Sequence, residues 1–310
     1  MNPRRWGGRA APGNVPMPPR ERWIVTGASG QLGSHVVREL VAGEPRVELL
    51  ALAGTRDVGT AGVTVARLDL GDLAAVRAAV ATFRPTHVLH LAAMTAVGDC
   101  YAQPERAALV NHHATAALAE AAAAGRARFV LCSTDMVFDG TAAPYDEAAV
   151  PRPLSVYGRT KRAAEEAVAG RPGMVVARVP LLYGRPLSDR PTTFVQQLAA
   201  ARAGTPLRLF TDEYRTPVAL PDAAHALVAL ARSDFEGLIH IPGPERLSRY
   251  ELVARAVALL HITSAQLVPI SRLDVAAPEP RPADLSLAGT TFARLFPRQV
   301  PGPMRRAVLE

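Results

Sequence analysis

The sequence contains few cysteines, few aromatic residues and no long hydrophobic run. Cys100 and Cys132 are the only cysteines among 310 residues, and no Cys-x-x-Cys spacing is present. This predicts free thiols in a reducing compartment, with neither a disulfide framework nor a zinc site. No apolar run reaches the roughly 18 residues that a transmembrane helix needs, so we expect no membrane partner. Hydrophobic residues make up 49% of the chain and aromatic residues only 5%, so Ala, Val and Leu must fill a large core.

A basic surface suited to nucleic acid is also missing. The formal net charge is +7, but much of the excess lies in the first 22 residues. Elsewhere Arg is interspersed with Asp and Glu, and no basic helix is present, so we expect no nucleic-acid partner. Residues 1–22 contain Pro, Gly and Arg without the apolar segment of a signal peptide. We therefore predict a disordered leader and a cytoplasmic location.

The rest of the chain alternates apolar runs with helical patterns. The runs lie at 23–26, 46–53, 63–68, 87–91, 127–132 and 174–179, and the helical patterns at 31–41, 72–83, 104–124 and 155–170. This alternation predicts an α/β fold, a Rossmann-type doubly wound parallel sheet, over 23–184. Proline-rich joints then break the rhythm. We interpret 185–310 as a smaller, mixed substrate-binding lobe that partly returns to the main sheet.

A glycine-rich turn follows the first apolar run and reads TGASGQLG over 26–33. Glycines three residues apart permit a tight turn and a close backbone approach to a pyrophosphate, and the next helix offers its N-terminus to the phosphates. A plain strand–helix turn is the alternative. The predicted cofactor contacts in this turn are Gly27, Ser29, Gly30, Gln31, Leu32 and Gly33.

The end of the second run bears on the choice between NAD and NADP. An acidic residue there would bind the ribose 2′-hydroxyl, but the chain has Ala53-Gly54-Thr55-Arg56. Arg56 could pair with a 2′-phosphate, so NADP(H) is preferred and NAD(H) is possible. After the third run, Asp69 and Leu70 are placed to border the adenine; Asp69 could equally cap the next helix.

Tyr157 and Lys161 lie four residues apart in a helical pattern and therefore on one face. A carbonyl that receives a hydride must also receive a proton, which a tyrosine can donate, and a neighbouring ammonium stabilises the phenolate. Ser133-Thr134-Asp135 ends the fifth run, where a hydroxyl can polarise a carbonyl. Together with the glycine turn, these residues predict a catalytic site.

Several blocks together resemble the dTDP-4-dehydrorhamnose reductase family of extended short-chain dehydrogenases. They are TGASGQLG (26–33), LAAMTAV (91–97), PERAALVN (104–111), STDMVFDG (133–140), VYGRTK (156–161), RVPLLYG (178–184), DEYRTPV (212–218) and RPADLSL (281–287). The resemblance covers about nine-tenths of the chain. It implies an NADPH-dependent reductase that reduces the C4 ketone of a nucleotide-linked 6-deoxy-4-keto sugar.

The resemblance also implies roles for individual residues. Thr134 would polarise the ketone, Tyr157 would donate the proton, and Lys161 would support Tyr157 and bind the ribose. The nicotinamide side of the groove would be lined by Leu91, Ala92 and Ala93. The expected substrate contacts are Thr95, Val97 and Phe138 at the sugar and Arg215 and Arg281 at the diphosphate or nucleotide. Met136, Gly98 and the DEYRTPV block depart from the family pattern on the substrate side, which leaves the sugar open.

Other functions remain open at this point. The resemblance extends to the non-catalytic regulatory subunit of methionine adenosyltransferase, which keeps the Tyr/Lys pair. A second alternative is another sugar-nucleotide enzyme, such as an epimerase, a dehydratase or a different reductase. The apolar faces of 104–124 and 155–170 could pair two copies of the chain as a homodimer. His90, His112 and His113 have no carboxylate at ligand spacing, so we predict no metal site. His90 is expected to pack within the fourth strand, and Asn111 either anchors a water near Lys161 or has no special role.

Overall fold

The structure is a computed structural model that describes residues 21–43, 47–54, 57–60, 62–189 and 192–310. The predicted leader, apart from its last two residues, lies outside the described residues, as does Arg56. Arg22 belongs to the first strand, one residue before the predicted start of the nucleotide-binding domain.

Seven parallel strands form the central sheet. They are β1 (Arg22–Thr26), β2 (Glu48–Ala53), β3 (Thr64–Arg67), β4 (His87–His90), β5 (Arg128–Thr134), β6 (Met174–Val179) and β11 (Gly237–His240). Across the sheet they lie in the order β11-β6-β5-β4-β1-β2-β3. The order reverses between β1 and β4, which is the point at which open α/β sheets bind ligands. The predicted Rossmann-type doubly wound fold is confirmed.

Helices cover both faces of this sheet. The main ones are α1 (Gln31–Gly43), α2 (Leu73–Phe83), α5 (Ala114–Ala124), α6 (Val156–Val168) and α8 (Leu220–Arg232). Helices α1 and α8 pack together on one face, and α2, α5 and α6 pack on the other. Because strands such as β6 are buried on both sides, their sequences are mostly apolar instead of alternating, and Arg178 is the one charged residue of β6.

The predicted helix over 104–124 is not one regular helix. A short helix, α3 (Val97–Ala102), precedes α4 (Pro104–Ala108), and a π-helical turn over Leu109–His113 then separates α4 from α5. Single π turns within helices are frequent at functional sites, since they redirect one side chain. Here that turn contains Asn111.

The chain after residue 180 builds a smaller lobe from short strands and a few helices. Its elements are β7 (Leu182–Tyr183), α7 (Thr193–Arg202), β8 (Leu207–Phe210), β9 (Tyr214–Arg215), β10 (Val218–Ala219), β12 (Leu247–Ser248), α9 (Arg249–Leu259), β13 (Leu267–Ile270) and α10 (Thr290–Leu295). The strands pair as β10-β7, β12-β9 and β13-β8. Between them, α8 and β11 return to the main layers, so the two parts share one core. Within the described residues, no helix is long and apolar enough to cross a membrane.

Candidate active site

The glycine turn lies directly against the end of β4. Gly27 has φ +67°, and a Cβ on it would lie 2.8 Å from the Ala92 nitrogen. A Cβ on Gly33 would lie 2.1 Å from the Gly27 carbonyl oxygen, so only glycine lets α1 begin this close to the turn. The N-terminus of α1 therefore opens at the switch point of the sheet. Its free N–H groups and positive dipole end suit a pyrophosphate.

A buried hydrogen-bond chain joins β1 to β4 beneath this turn. The N–H groups of Leu91 and Ala92 both donate to Thr26 Oγ1, which lies 2.6 Å from His90 Nδ1. On the other side of the ring, His90 Nε2 lies 2.9 Å from Thr115 Oγ1. Thr115 donates its own hydroxyl proton to the Asn111 carbonyl, so it accepts from His90 Nε2–H and leaves Nδ1 as acceptor. His90 is thus a neutral ring packed within β4.

Burial is the main cause that lowers the pKa of His90 to about 3, and the charge of Lys161 adds to it. The neutral ring that the hydrogen bonds require is therefore also the form that the electrostatics favour. The hydrogen-bond chain through Thr26, His90 and Thr115 orients the backbone of 91–92, where the nicotinamide side of the groove is predicted.

Asn111 connects the loop after β4 to α6. Its side chain accepts a hydrogen bond from the Met94 N–H at 2.7 Å and donates to the Met94 carbonyl and to Thr160 Oγ1, each at 3.0 Å. Its amide is thereby fully engaged by protein groups, and Thr160 immediately precedes Lys161. Asn111 fixes the distance between the predicted nicotinamide loop and α6, a role that the sequence had left open.

Thr134, Tyr157 and Lys161 meet at the end of β5. Ser155 caps α6 by accepting the Gly158 N–H at 3.1 Å, which places Tyr157 in the first turn and Lys161 one turn later. The buried Lys161 Nζ donates to the Cys132 carbonyl at 2.8 Å. Thr134 ends the strand, and its hydroxyl accepts the Met136 N–H at 3.2 Å.

The electrostatics keep the phenol of Tyr157 protonated. Burial raises its pKa above the ordinary value, and a hydrogen bond with Thr134 opposes that rise. Burial lowers the pKa of Lys161, and the charge of Glu165 is among the effects that oppose this. A protonated phenol beside a strand-end hydroxyl can donate a proton to a carbonyl oxygen that both groups reach.

The residues predicted to border the adenine lie beyond β3. Asp69 accepts from Arg106 at 2.6 Å and from the Gly71 N–H at 2.8 Å. It does not cap the next helix, because Asp72 caps α2 by accepting the Ala75 N–H. Leu70 is half-buried beside it. Ala93 follows the 91–92 backbone described above, and Arg56 lies outside the described residues.

The predicted substrate contacts lie in different settings. Thr95 is exposed in the loop after β4, and Val97 is half-buried at the start of α3. Phe138 is 1% exposed and stacks on Tyr145 with ring centroids 4.0 Å apart, so its ring presents no surface to a sugar. Arg281 is partly exposed, lies over Phe210 and reaches Glu213 at 3.7 Å.

Arg215 is already engaged inside the protein. Its Nη1 lies 2.9 Å from Asp135 Oδ2 and its Nη2 lies 3.6 Å from Glu213 Oε1, with only 5% of the side chain exposed. Because Asp135 follows Thr134 directly, this ion pair ties the smaller lobe to the turn after β5. A second tie is Glu279, whose carboxylate accepts the Val156 N–H at 2.7 Å at the start of α6. Sequence reasoning missed Glu279, since nothing local marks it.

This fold and this arrangement of side chains define a short-chain dehydrogenase/reductase, a class of dinucleotide-dependent oxidoreductases. The comparison with protein families places the chain within that class. Residues 21–308 match the model of the RmlD substrate binding domain, and the chain belongs to this family.

Individual relatives agree with that assignment. The chain is 34% identical over 267 residues to the dTDP-4-keto-6-deoxy-D-glucose reductase of Streptomyces niveus, covering 84% of this chain and 86% of that one. It is 33% identical over 272 residues to methionine adenosyltransferase 2 subunit beta of Xenopus tropicalis, covering 85% and 79%. A solved structure from Sulfolobus tokodaii, described as a hypothetical dTDP-4-dehydrorhamnose reductase, superposes with a TM-score of 0.81 at 25% identity, covering 93% and 99%.

Proposed function

We propose that the protein is an NADPH-dependent reductase of a nucleotide-linked 4-keto-6-deoxy sugar. The observation that carries the proposal is the meeting of Thr134, Tyr157 and Lys161 at the carboxyl end of β5, beside the glycine turn at the switch point. The reductase relatives share most of the chain's length, which favours the same substrate class.

The residues present suit a dinucleotide. The pyrophosphate would lie on the free N–H groups at the start of α1, in the turn that lacks side chains at Gly27 and Gly30. Lys161 would hold the nicotinamide ribose, and Asp69 and Leu70 would border the adenine. NADPH is favoured because Ala53-Gly54-Thr55 offers no acid to a ribose 2′-hydroxyl. When bound, the cofactor supplies the hydride that reduces C4.

The chain's own groups supply the proton. Thr134 donates a hydrogen bond to the C4 ketone oxygen and draws electron density from C4. Tyr157 transfers its phenolic proton to that oxygen as C4 gains the hydride, which leaves a C4 hydroxyl, a phenolate and the oxidised cofactor. Lys161 stabilises the phenolate until a proton from solvent restores the phenol.

The direct test follows NADPH absorbance with dTDP-4-keto-6-deoxyglucose, alone and with its 3,5-epimerised form. Tyr157→Phe should lower kcat by roughly 10²- to 10⁴-fold, the usual contribution of a general acid, and leave NADPH affinity little changed. Tyr250→Phe, a half-buried tyrosine on α9, is the matched control and should keep full activity. Equal kcat in wild type and Tyr157→Phe would refute the assigned role.

The second candidate function is a non-catalytic regulatory subunit. It is favoured by the 33% identity to methionine adenosyltransferase 2 subunit beta, which equals the identity to the dTDP-4-dehydrorhamnose reductase of Streptomyces griseus. The same assay separates the two functions, because a regulatory subunit would bind NADPH without consuming it in the presence of either sugar nucleotide.

A further inference from the structure

Three consecutive residues at the end of β5 each contact a residue on one face of α6. Thr134 lies near enough to Tyr157 to lower the pKa of its phenol, the Cys132 carbonyl accepts from Lys161, and Ser133 donates to Glu165 Oε1 at 2.6 Å. Positions 157, 161 and 165 are spaced by four, so they lie along one side of the helix. The first two contacts belong to the proposed catalytic residues. The third belongs to no part of the mechanism described above.

Glu165 is held rigidly by a buried arginine from the next strand. Arg178 on β6 donates through Nε to Glu165 Oε1 at 2.9 Å and through Nη2 to Glu165 Oε2 at 2.7 Å. The two side chains are 1% and 3% exposed. A bidentate pair of this kind fixes the carboxylate in position as well as in charge.

The surroundings of Arg178 limit its movement in turn. Ser133 and Arg178 are register partners in adjacent strands, and so are Arg178 and His240. The guanidinium lies over the Phe138 ring at 4.9 Å, and its Nη1 lies 3.3 Å from His240 Nε2. One further cation reaches Glu165 among the residues that the structure describes: the half-exposed Arg162, at 3.4 Å. The carboxylate therefore has a fixed position between strand and helix.

We infer that Glu165 is a positioning residue that, through Ser133, sets the end of β5 against α6 and so fixes the distance between the Thr134 hydroxyl and the Tyr157 phenol. A buried ion pair is a weak source of stability, since desolvation offsets its attraction. The hydrogen bond from Ser133, the residue before Thr134, gives the Glu165–Arg178 pair a second effect, because it holds the end of β5 in position. The inference rests on the proposed reductase function.

Ser133→Ala is the principal variant, because it removes the bond to Glu165 and leaves the buried Glu165–Arg178 pair intact. Glu166→Gln is the matched control: Glu166 lies next to Glu165 on α6, pairs with Arg162 at 2.9 Å and is 61% exposed. In Ser133→Ala we expect kcat to fall about 10- to 100-fold, since a misplacement near 1 Å costs roughly 10²-fold. The KM for the sugar nucleotide and the thermal midpoint should stay close to wild type, and Glu166→Gln should retain full kcat.

Glu165→Gln supplies a second measurement. If Glu165 acts through Ser133, the two substitutions should be non-additive, and the double variant should be no slower than Glu165→Gln alone. Glu165→Gln should also move the alkaline limb of kcat to lower pH, because the Glu165 charge raises the pKa of Lys161. Ser133→Ala should not move that limb. A purely structural pair would lower the thermal midpoint in Glu165→Gln and leave the pH profile unchanged.

Wild-type kcat in Ser133→Ala, or a loss that Glu166→Gln matches, would overturn the inference. If the wild type itself consumes no NADPH with the sugar nucleotides, the proposed function fails. The inference is then tested by measuring cofactor binding. NADPH fluorescence titration should then show a dissociation constant at least about threefold weaker in Ser133→Ala than in Glu166→Gln, because the β5 end also holds Lys161 through the Cys132 carbonyl. Equal constants would refute the inference independently of turnover.

Discussion

Replacing His90 with glutamine removes a buried titratable ring that the fold requires to be neutral. Thr26 donates to Nδ1 and Thr115 accepts from Nε2–H, so protonation of Nδ1 would break the first bond. Burial lowers the pKa of His90 to about 3, whereas a histidine in the unfolded chain titrates near 6.5. Between these values the unfolded chain binds one more proton than the folded chain. The stability that the neutral His90 ring contributes to folding is therefore complete above about pH 6.5 and is lost as the pH falls.

The size of this loss of stability follows from the interval between the two pKa values of His90. From pH 6.5 to pH 5 the loss is about 1.4 kcal/mol per pH unit, or roughly 2 kcal/mol in total for one histidine. Urea unfolding at pH 7 and pH 5 measures it. The wild type should lose about 2 kcal/mol more than His90→Gln over this interval, whatever the variant's stability at pH 7.

His113→Gln is the control for this experiment. It removes a histidine that is exposed on the π turn directly before α5, so its pH dependence should follow the wild type. An equal loss of stability in the wild type and in His90→Gln would show that the ring is not held neutral. The hydrogen-bond chain deduced for β1 and β4 would then be wrong.

Three further substitutions test other parts of the structure. Gly27→Ala should weaken NADPH binding at least about tenfold in a fluorescence titration, since its Cβ would meet the Ala92 nitrogen at 2.8 Å and φ is +67°; unchanged affinity would contradict the close approach of the glycine turn to β4. Arg215→Met should cost about 3–5 kcal/mol in urea unfolding, because it strands the buried Asp135; a surface-like loss below about 1 kcal/mol would argue against that ion pair. Asp72→Ala should cost about 1 kcal/mol by removing the cap of α2, with kcat unchanged; no loss would mean that the cap is dispensable.

Arg215 illustrates why a sequence motif does not determine which groups a side chain contacts. Its position in the DEYRTPV block suggested a contact with the substrate diphosphate. In the folded chain the guanidinium is buried between Asp135 and Glu213, so a contact with substrate stays a prediction that would require part of this pairing to open. Arg281 is better placed for an anionic ligand, since it is partly exposed and its ion pair with Glu213 is long.

The sequence alone determined the features that depend on local order along the chain. Alternating apolar runs and helical periods predicted the parallel sheet, because backbone hydrogen bonding and burial impose those periods wherever the strand or helix lies. Glycines at 27, 30 and 33 marked the turn, since only residues without Cβ permit it. The four-residue spacing of Tyr157 and Lys161 placed both on one face of a helix.

Only the tertiary structure decided the contacts between residues distant in sequence. Asn111 meets Met94 and Thr160, and Glu279 reaches the start of α6 from the far end of the chain. Ser133, Glu165 and Arg178 meet because β5 and β6 are neighbours in the sheet and α6 packs against both. A buried polar group must find its partners in three dimensions, and strand order, register and the π turn select them. Sequence spacing carries no information about that choice, which is why the placement of Tyr157 and Lys161 on one helix face was predictable and these distant hydrogen-bond partners were not.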